Sequence, residues 1–132
     1  MSPRKLVTRK ATRAEAVSRR RIAQKYLEVA DLASGEDGTA LNVSVGNAVL
    51  AGIAAADAIC IVAIGERYAG HDHAAAATLL TRVDTHLGGR LRDLVDMKPG
   101  SHYGQHLISP EDCVRALRAA RALVSEAIER TT

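Results

Sequence analysis

The chain of 132 residues has no phenylalanine and no tryptophan, and apart from histidine its only aromatic side chains are Tyr26, Tyr68 and Tyr103. That scarcity argues against a surface that reads single-stranded bases by stacking. It also means that the core must come from Ala, Leu, Val and Ile, since 47% of the residues are hydrophobic while 2% are aromatic. Cysteine is equally scarce. Cys60 and Cys113 stand alone, too far apart and too few for a disulfide framework, and no C-x-x-C pair exists for zinc or redox chemistry. Each lies inside an apolar helical pattern, as buried free thiols in a reducing compartment do. No Gly-rich phosphate loop and no nucleophile elbow is present, so no cofactor is expected. The start Met1-Ser2-Pro3-Arg4-Lys5 lacks a following apolar run, and the longest apolar stretch, Val43 to Ile64, is interrupted by Asp57. The expected setting is the cytoplasm, without membrane contact.

What is present is charge, unevenly placed. The net charge of +3 divides into about +8 on residues 1–25, which carry nine Lys or Arg and the single acid Glu15, and about −5 on the rest. A basic arm on a mildly acidic body is the pattern of a segment that meets phosphate or another acidic surface. Residues 1–11, with Pro3 and a run of charges, offer nothing to bury and are expected to form a disordered basic arm. Residues 12–132 are expected to form one domain, long enough to build a core without metal or disulfide.

Helical periodicity dominates that domain. Thr12 followed by Glu15 has the spacing of a capping box, and the helix it opens presents Ile22, Tyr26, Val29, Ala30 and Ala33 before ending at Ser34-Gly35. A second helix, capped at Asn42 or Ser44, carries Val45, Val49, Ile53, Ala56, Cys60 and Ile64 at helical spacing and closes at Gly65. Its small residues on nearly every face predict a central helix. A third helix from His71 or Asp72 runs to Leu87, with a break at Gly88-Gly89. A shorter helix with Leu91, Leu94 and Val95 stops at Lys98-Pro99-Gly100, and a loop over 98–108 follows. Ser109-Pro110-Glu111-Asp112 is a helix start, and the last helix uses Val114, Leu117, Arg121, Val124 and Ile128. The expected fold class is all-α, an up-and-down bundle of four or five helices.

The order of these signals carries a resemblance. Ala54-Ala55-Ala56-Asp57-Ala58 is followed by Gly65-x-Arg67 and by His73 opening an Ala/Leu helix. Next come Leu94-Val95-x-x-Lys98, Tyr103-Gly104 and Ile108-Ser109-Pro110-Glu111-Asp112. Over roughly residues 42–130 this resembles the HEPN superfamily of helical bundles, found in nucleotidyltransferase-associated proteins, toxin–antitoxin systems and other prokaryotic defence modules. The resemblance implies a nucleic-acid or nucleotide binding module, a homodimer, and a cognate toxin or antitoxin, or a nucleotidyltransferase, as a protein partner. Many HEPN proteins are also metal-independent ribonucleases with an R-x(4–6)-H motif. Arg67 and His73, with five residues between them, fit that spacing, although here the pair falls between the second and third helices rather than near the start of the last.

Seen as chemistry, a histidine can take the proton of a ribose 2′-hydroxyl while an arginine holds the scissile phosphate. Arg67 and His73 are therefore the candidate catalytic residues. Candidate binding residues are Arg19, Arg20 and Arg21 on the arm, Asp57 among alanines, His71 beside the third helix, and Lys98 and Tyr103 before the last. Asp57 is expected to face a groove or to pair with a base such as Arg67 or Lys98, because an isolated charge there would be costly. His71, Asp72 and His73 do not have metal-ligand spacing, so no metal is expected. Arg115, Arg118 and Arg121 form either a solvated face or an extension of a phosphate-binding surface.

Overall fold

The computed structural model describes residues 6–36, 38–103 and 108–132, and side chains among these except from 98 to 103. In chain order the elements are β1 (Thr8–Lys10), α1 (Arg13–Ser34), α2 (Thr39–Ile64), β2 (Glu66–Tyr68), α3 (His73–Val83), α4 (Thr85–Tyr103) and α5 (Pro110–Thr131). The all-α bundle is as expected, with five helices and one small antiparallel ribbon, β1 on β2. The ribbon is a departure: Thr8–Lys10 forms a strand where a disordered arm was expected. Three residues are too few for alternation to be visible in sequence, and the backbone groups of the arm find partners on β2 instead of water.

α2 is apolar on all sides and is correspondingly enclosed, with Val45, Ala48, Val49, Ala51, Ala54, Ala55, Ala58 and Ile59 all fully buried. It begins at Thr39, three residues before the expected cap, and ends on Gly65, whose φ of 72° is the left-handed conformation glycine adopts without strain. By length and composition alone α2 could cross a membrane, but two thirds of its most apolar window is buried inside the protein.

Contacts along the helices give their directions. Ser44 meets Ala30 and Asp57 meets Arg19, so α1 and α2 are antiparallel. Arg121 meets Asp31 and Thr131 meets Arg20, so α1 and α5 are antiparallel too. Ser44 touches Cys113, and Gly52 lies against Leu123, so α2 and α5 run parallel, while α3 and α4 are antiparallel to each other.

α1 packs through Ala16, Ala23 and Ala30, one residue in seven and all fully buried. Methyl groups let the helix axes approach closely, near enough for the Ser44 hydroxyl to donate to the Ala30 carbonyl at 2.8 Å. Of the expected stripe, Ala30 is fully buried and Tyr26 packs on the core, but Ile22 and Val29 are about two-fifths exposed. On α5 the buried set is Cys113, Ala116, Leu117, Ala119, Ala120, Leu123, Val124, Ala127 and Thr131, while Val114 is exposed and Arg121 reaches Asp31. Both errors have one source. Counting large apolar residues overlooks alanine, which supplies the seams here.

The break between α3 and α4 falls at Asp84, not at Gly88-Gly89. Asp84 is extended (φ −156°, ψ 111°); its N–H donates to Leu80, and its carboxylate accepts from the Leu87 N–H at 3.0 Å, closing one helix and opening the next. Arg130 of α5 adds a contact at 3.3 Å. Gly88 sits inside α4, where an added Cβ would strike the Thr81 backbone of α3. α4 also continues past Pro99 to Tyr103, where a loop was expected.

The Leu87 amide, and after it Arg130 and His86, hold the Asp84 carboxyl below its usual range. A carboxyl with a lowered folded-state pKa contributes stability above the ordinary Asp range, and that contribution is lost as pH falls through the lowered value. Asp84→Ala should cost about 1–2 kcal/mol, the scale of a lost helix cap, read as a lower urea midpoint at pH 7. A difference that shrinks as pH falls below the ordinary carboxylate range would confirm the carboxylate as the source, whereas an unchanged midpoint at pH 7 would remove the cap from the account.

Candidate nucleic-acid interface

Helix α1 and the ribbon bring two arginines, Arg19 and Arg67, onto one acid, and the ribbon sets a third, Arg9, across from Arg67. β1 pairs with β2 as Thr8↔Tyr68, Arg9↔Arg67 and Lys10↔Glu66, so Arg9 and Arg67 stand directly opposite and share a face. Backbone bonds extend the ribbon at both ends, from Ala69 N–H to the Val7 carbonyl at 2.9 Å and from Ala11 N–H to the Gly65 carbonyl at 3.0 Å. On the other face, Thr8 Oγ1 donates to Glu66 Oε1 at 2.7 Å. The ribbon is thereby pinned to the C-terminal end of α2, next to the turn bearing Asp57.

Asp57 is buried, its side chain 9% exposed. Arg19 of α1 donates from Nε to Asp57 Oδ2 at 3.1 Å, with Nη2 3.0 Å from the same oxygen. Arg67 Nη1 lies 3.7 Å from it. The expected Arg67 pairing is therefore present, and Arg19 is the partner that sequence did not suggest. Burial pushes the Asp57 carboxyl up, while Arg19 and then Arg67 pull it back, leaving it above its ordinary range. The neighbouring Cys60 thiol is raised to about 12, first by burial and then by the Asp57 charge, which leaves it an inert core group rather than a nucleophile.

Arg9, Arg19 and Arg67 together outweigh Asp57 by two charges. Like charges directly opposite in a ribbon are destabilising, and two guanidiniums on one carboxylate oxygen leave most of their N–H groups free to donate outward. The side chains of Arg19 and Arg67 are 29% and 25% exposed, and Arg9 is exposed. A set of planar forks at a water-accessible rim, backed by a low-dielectric core, suits the oxygens of a phosphate.

The other candidate residues separate from this cluster to different degrees. Arg20 is tied to Thr131 Oγ1 and Gln24 Oε1, both at 3.1 Å, and so joins α1 to the end of α5. Arg21 faces solvent. His71 is exposed in the turn after β2, and His73 is the half-buried first residue of α3. That turn is fixed: Tyr68 Oη accepts from the Asp72 N–H at 3.0 Å, Asp72 caps α3 through the Ala74 N–H, and a side chain at Gly70 would collide with the Tyr68 ring. Lys98 and Tyr103 belong to α4, but their side chains lie outside the described ones. Sequence reasoning counted Arg9 as one of many arm charges; only the register of the ribbon brings it opposite Arg67.

No family model matches this chain, and no curated protein matches it either.

Proposed function

We propose that this chain is a HEPN-like, RNA-binding module in a prokaryotic defence or toxin–antitoxin setting, holding the phosphate backbone at Arg9, Arg19 and Arg67. The supporting observation is a buried carboxylate paired with Arg19 and Arg67, with the exposed Arg9 of the basic arm directly across the ribbon from Arg67. Contact is electrostatic, because the chain lacks the aromatic rings that stack on bases. The binding constant should therefore fall steeply with salt, with a logarithmic slope of roughly −2 if three phosphates are neutralised on a single strand.

The test is a titration of mixed-sequence single-stranded RNA over a salt series. Arg9→Ala and Arg67→Ala should each weaken binding by roughly tenfold, the scale of one charge-assisted hydrogen bond, and each should flatten the slope. Unchanged affinity in both variants would refute the reading and favour a protein partner, such as a cognate toxin, antitoxin or nucleotidyltransferase. Homodimerisation is part of the same proposal and rests on the resemblance; sedimentation showing only monomer at micromolar concentration would remove it.

A second reading, metal-independent ribonuclease, is favoured by one observation. Arg67 and His73 flank a turn held rigid by Tyr68 and Asp72, so both could act on one phosphodiester, Arg67 holding the phosphate and His73 taking the 2′-hydroxyl proton. Cleavage without metal that His73→Ala abolishes, with RNA affinity retained, would establish that reading; cleavage unchanged by the substitution would end it.

A further inference from the structure

A second arginine cluster lies on α4 and α5, built from residues with no part in the ribbon. Arg90, Asp93, Met97, Arg115, Arg118 and Ala119 line a recess of about 170 Å³ between the two helices. The regular series Arg115, Arg118, Arg121 divides there. Arg121 turns to α1 and pairs with Asp31, while Arg115 and Arg118 join Arg90 of α4. Arg115 has a loose contact at 3.5 Å with Asp112, its neighbour along the same helix. Among the described residues, neither Arg90, which is half-buried, nor Arg118 takes part in an ion pair or hydrogen bond.

Three guanidiniums against the single lining acid Asp93 leave the recess with two positive charges, and the Met97 thioether and Ala119 methyl give it an apolar part that strengthens electrostatic attraction. Its volume is well below the ~300–1,000 Å³ of pockets that enclose whole organic ligands, so it suits a small anion or the charged end of a larger molecule. Guanidinium forks match phosphoryl oxygens two at a time, and three forks lining one recess suit a group that presents oxygens in several directions, unlike a planar carboxylate.

We propose that this α4–α5 recess is a binding site for a phosphate-class oxyanion, either free or as the terminal phosphate of a larger compound, held by Arg90, Arg115 and Arg118. It is separate from the RNA-binding proposal and does not depend on it.

The test is calorimetric titration of the full chain with inorganic pyrophosphate at low ionic strength, alongside 5′-hydroxyl single-stranded RNA. Pyrophosphate is expected to bind with a dissociation constant below about 1 mM. Arg90→Ala and Arg118→Ala should each weaken it about tenfold, and Asp93→Asn should tighten it several-fold. Retained circular dichroism and urea midpoints in the variants exclude unfolding as the cause. Titration with adenosine monophosphate distinguishes the two sources: binding as tight as that of pyrophosphate assigns the site to a terminal phosphate, and weaker binding assigns it to the free anion. No pyrophosphate binding up to about 10 mM, or binding indifferent to both Arg90 and Arg118, would overturn the proposal. RNA affinity falling in these variants without any pyrophosphate binding would overturn it as well, making the recess part of a general polyanion surface.

Discussion

Asp57→Ala is expected to destabilise the bundle by about 2–4 kcal/mol, read as a large drop in urea midpoint with the denaturant slope unchanged. Removing one member of a buried ion pair leaves its partners uncompensated, and here one carboxylate oxygen serves Arg19 of α1 and Arg67 of β2 together. The partial exposure of both arginines keeps the loss below that of a fully enclosed pair. Asp57→Asn, which retains an oxygen for Arg19 without the charge, should stay within about 1 kcal/mol of the parent. It should also bind RNA several-fold more tightly, because the cluster then carries three positive charges with nothing opposing them. Asp57→Ala at parental stability would show that the arginines hold no structural role. The pH dependence has a definite sign. The Asp57 carboxyl is raised on folding, so the stabilisation linked to its protonated form is present at low pH and fades as pH rises through the raised value. Protonation also frees Arg19 and Arg67, so RNA affinity should increase as pH falls through the carboxylate range. Asp57→Asn should lose that component of the pH response.

Gly88→Val should cost about 3 kcal/mol or more, and even Gly88→Ala about 1–3 kcal/mol, the range for overpacking. Alanine is the better helix former by roughly 1 kcal/mol, so propensity alone predicts the opposite sign. The deciding fact is space: a Cβ at Gly88 would meet the Cα and Cβ of Thr81, atoms of the α3 backbone and its root that cannot swing aside. Thr81 is further fixed by its hydroxyl, which donates to the Ala77 carbonyl at 2.8 Å. Gly89 is the internal control. Nothing lies within 4 Å of a Cβ built there, so Gly89→Ala should stabilise by about 0.5–1 kcal/mol. Thermal melts of the two alanine variants moving in opposite directions would establish the close α3–α4 crossing, and movement in the same direction would refute it.

Those adjacent glycines also show what sequence could convey and what it could not. Gly88-Gly89 reads as a helix break because glycine is a poor helix former, and only the neighbouring helix reveals that Gly88 is needed for its lack of a side chain. The true break is made by Asp84, whose cap partner Leu87 is also only three residues on, but neither a proline nor an acid follows Asp84 to mark a helix start, and the glycine pair is the more conspicuous signal. Thr12 and Ser109 were legible as caps because an acid, Glu15 or Asp112, stands three positions on. The centrality of α2 was legible for the same reason of locality: its composition alone requires burial. The candidate site was half legible. Asp57 among alanines required a cationic partner and Arg67 was a reasonable one, but Arg19 lies 38 residues from Asp57 in sequence. Arg9 reaches the cluster through a ribbon of three residues per strand, too short to leave any periodic trace.

That ribbon has a consequence for how the protein is made. Thr8 and its partner Tyr68 are about sixty positions apart, so the arm leaves the ribosome long before β2 exists. Contacts within the α1–α2 and α3–α4 hairpins span shorter stretches of chain and close at lower entropic cost. A short two-stranded ribbon belongs to the part of a fold that opens most readily. Arg9 therefore reaches its place only after the second helix has been synthesised and docked, and the arginine cluster is completed late in the life of the nascent chain.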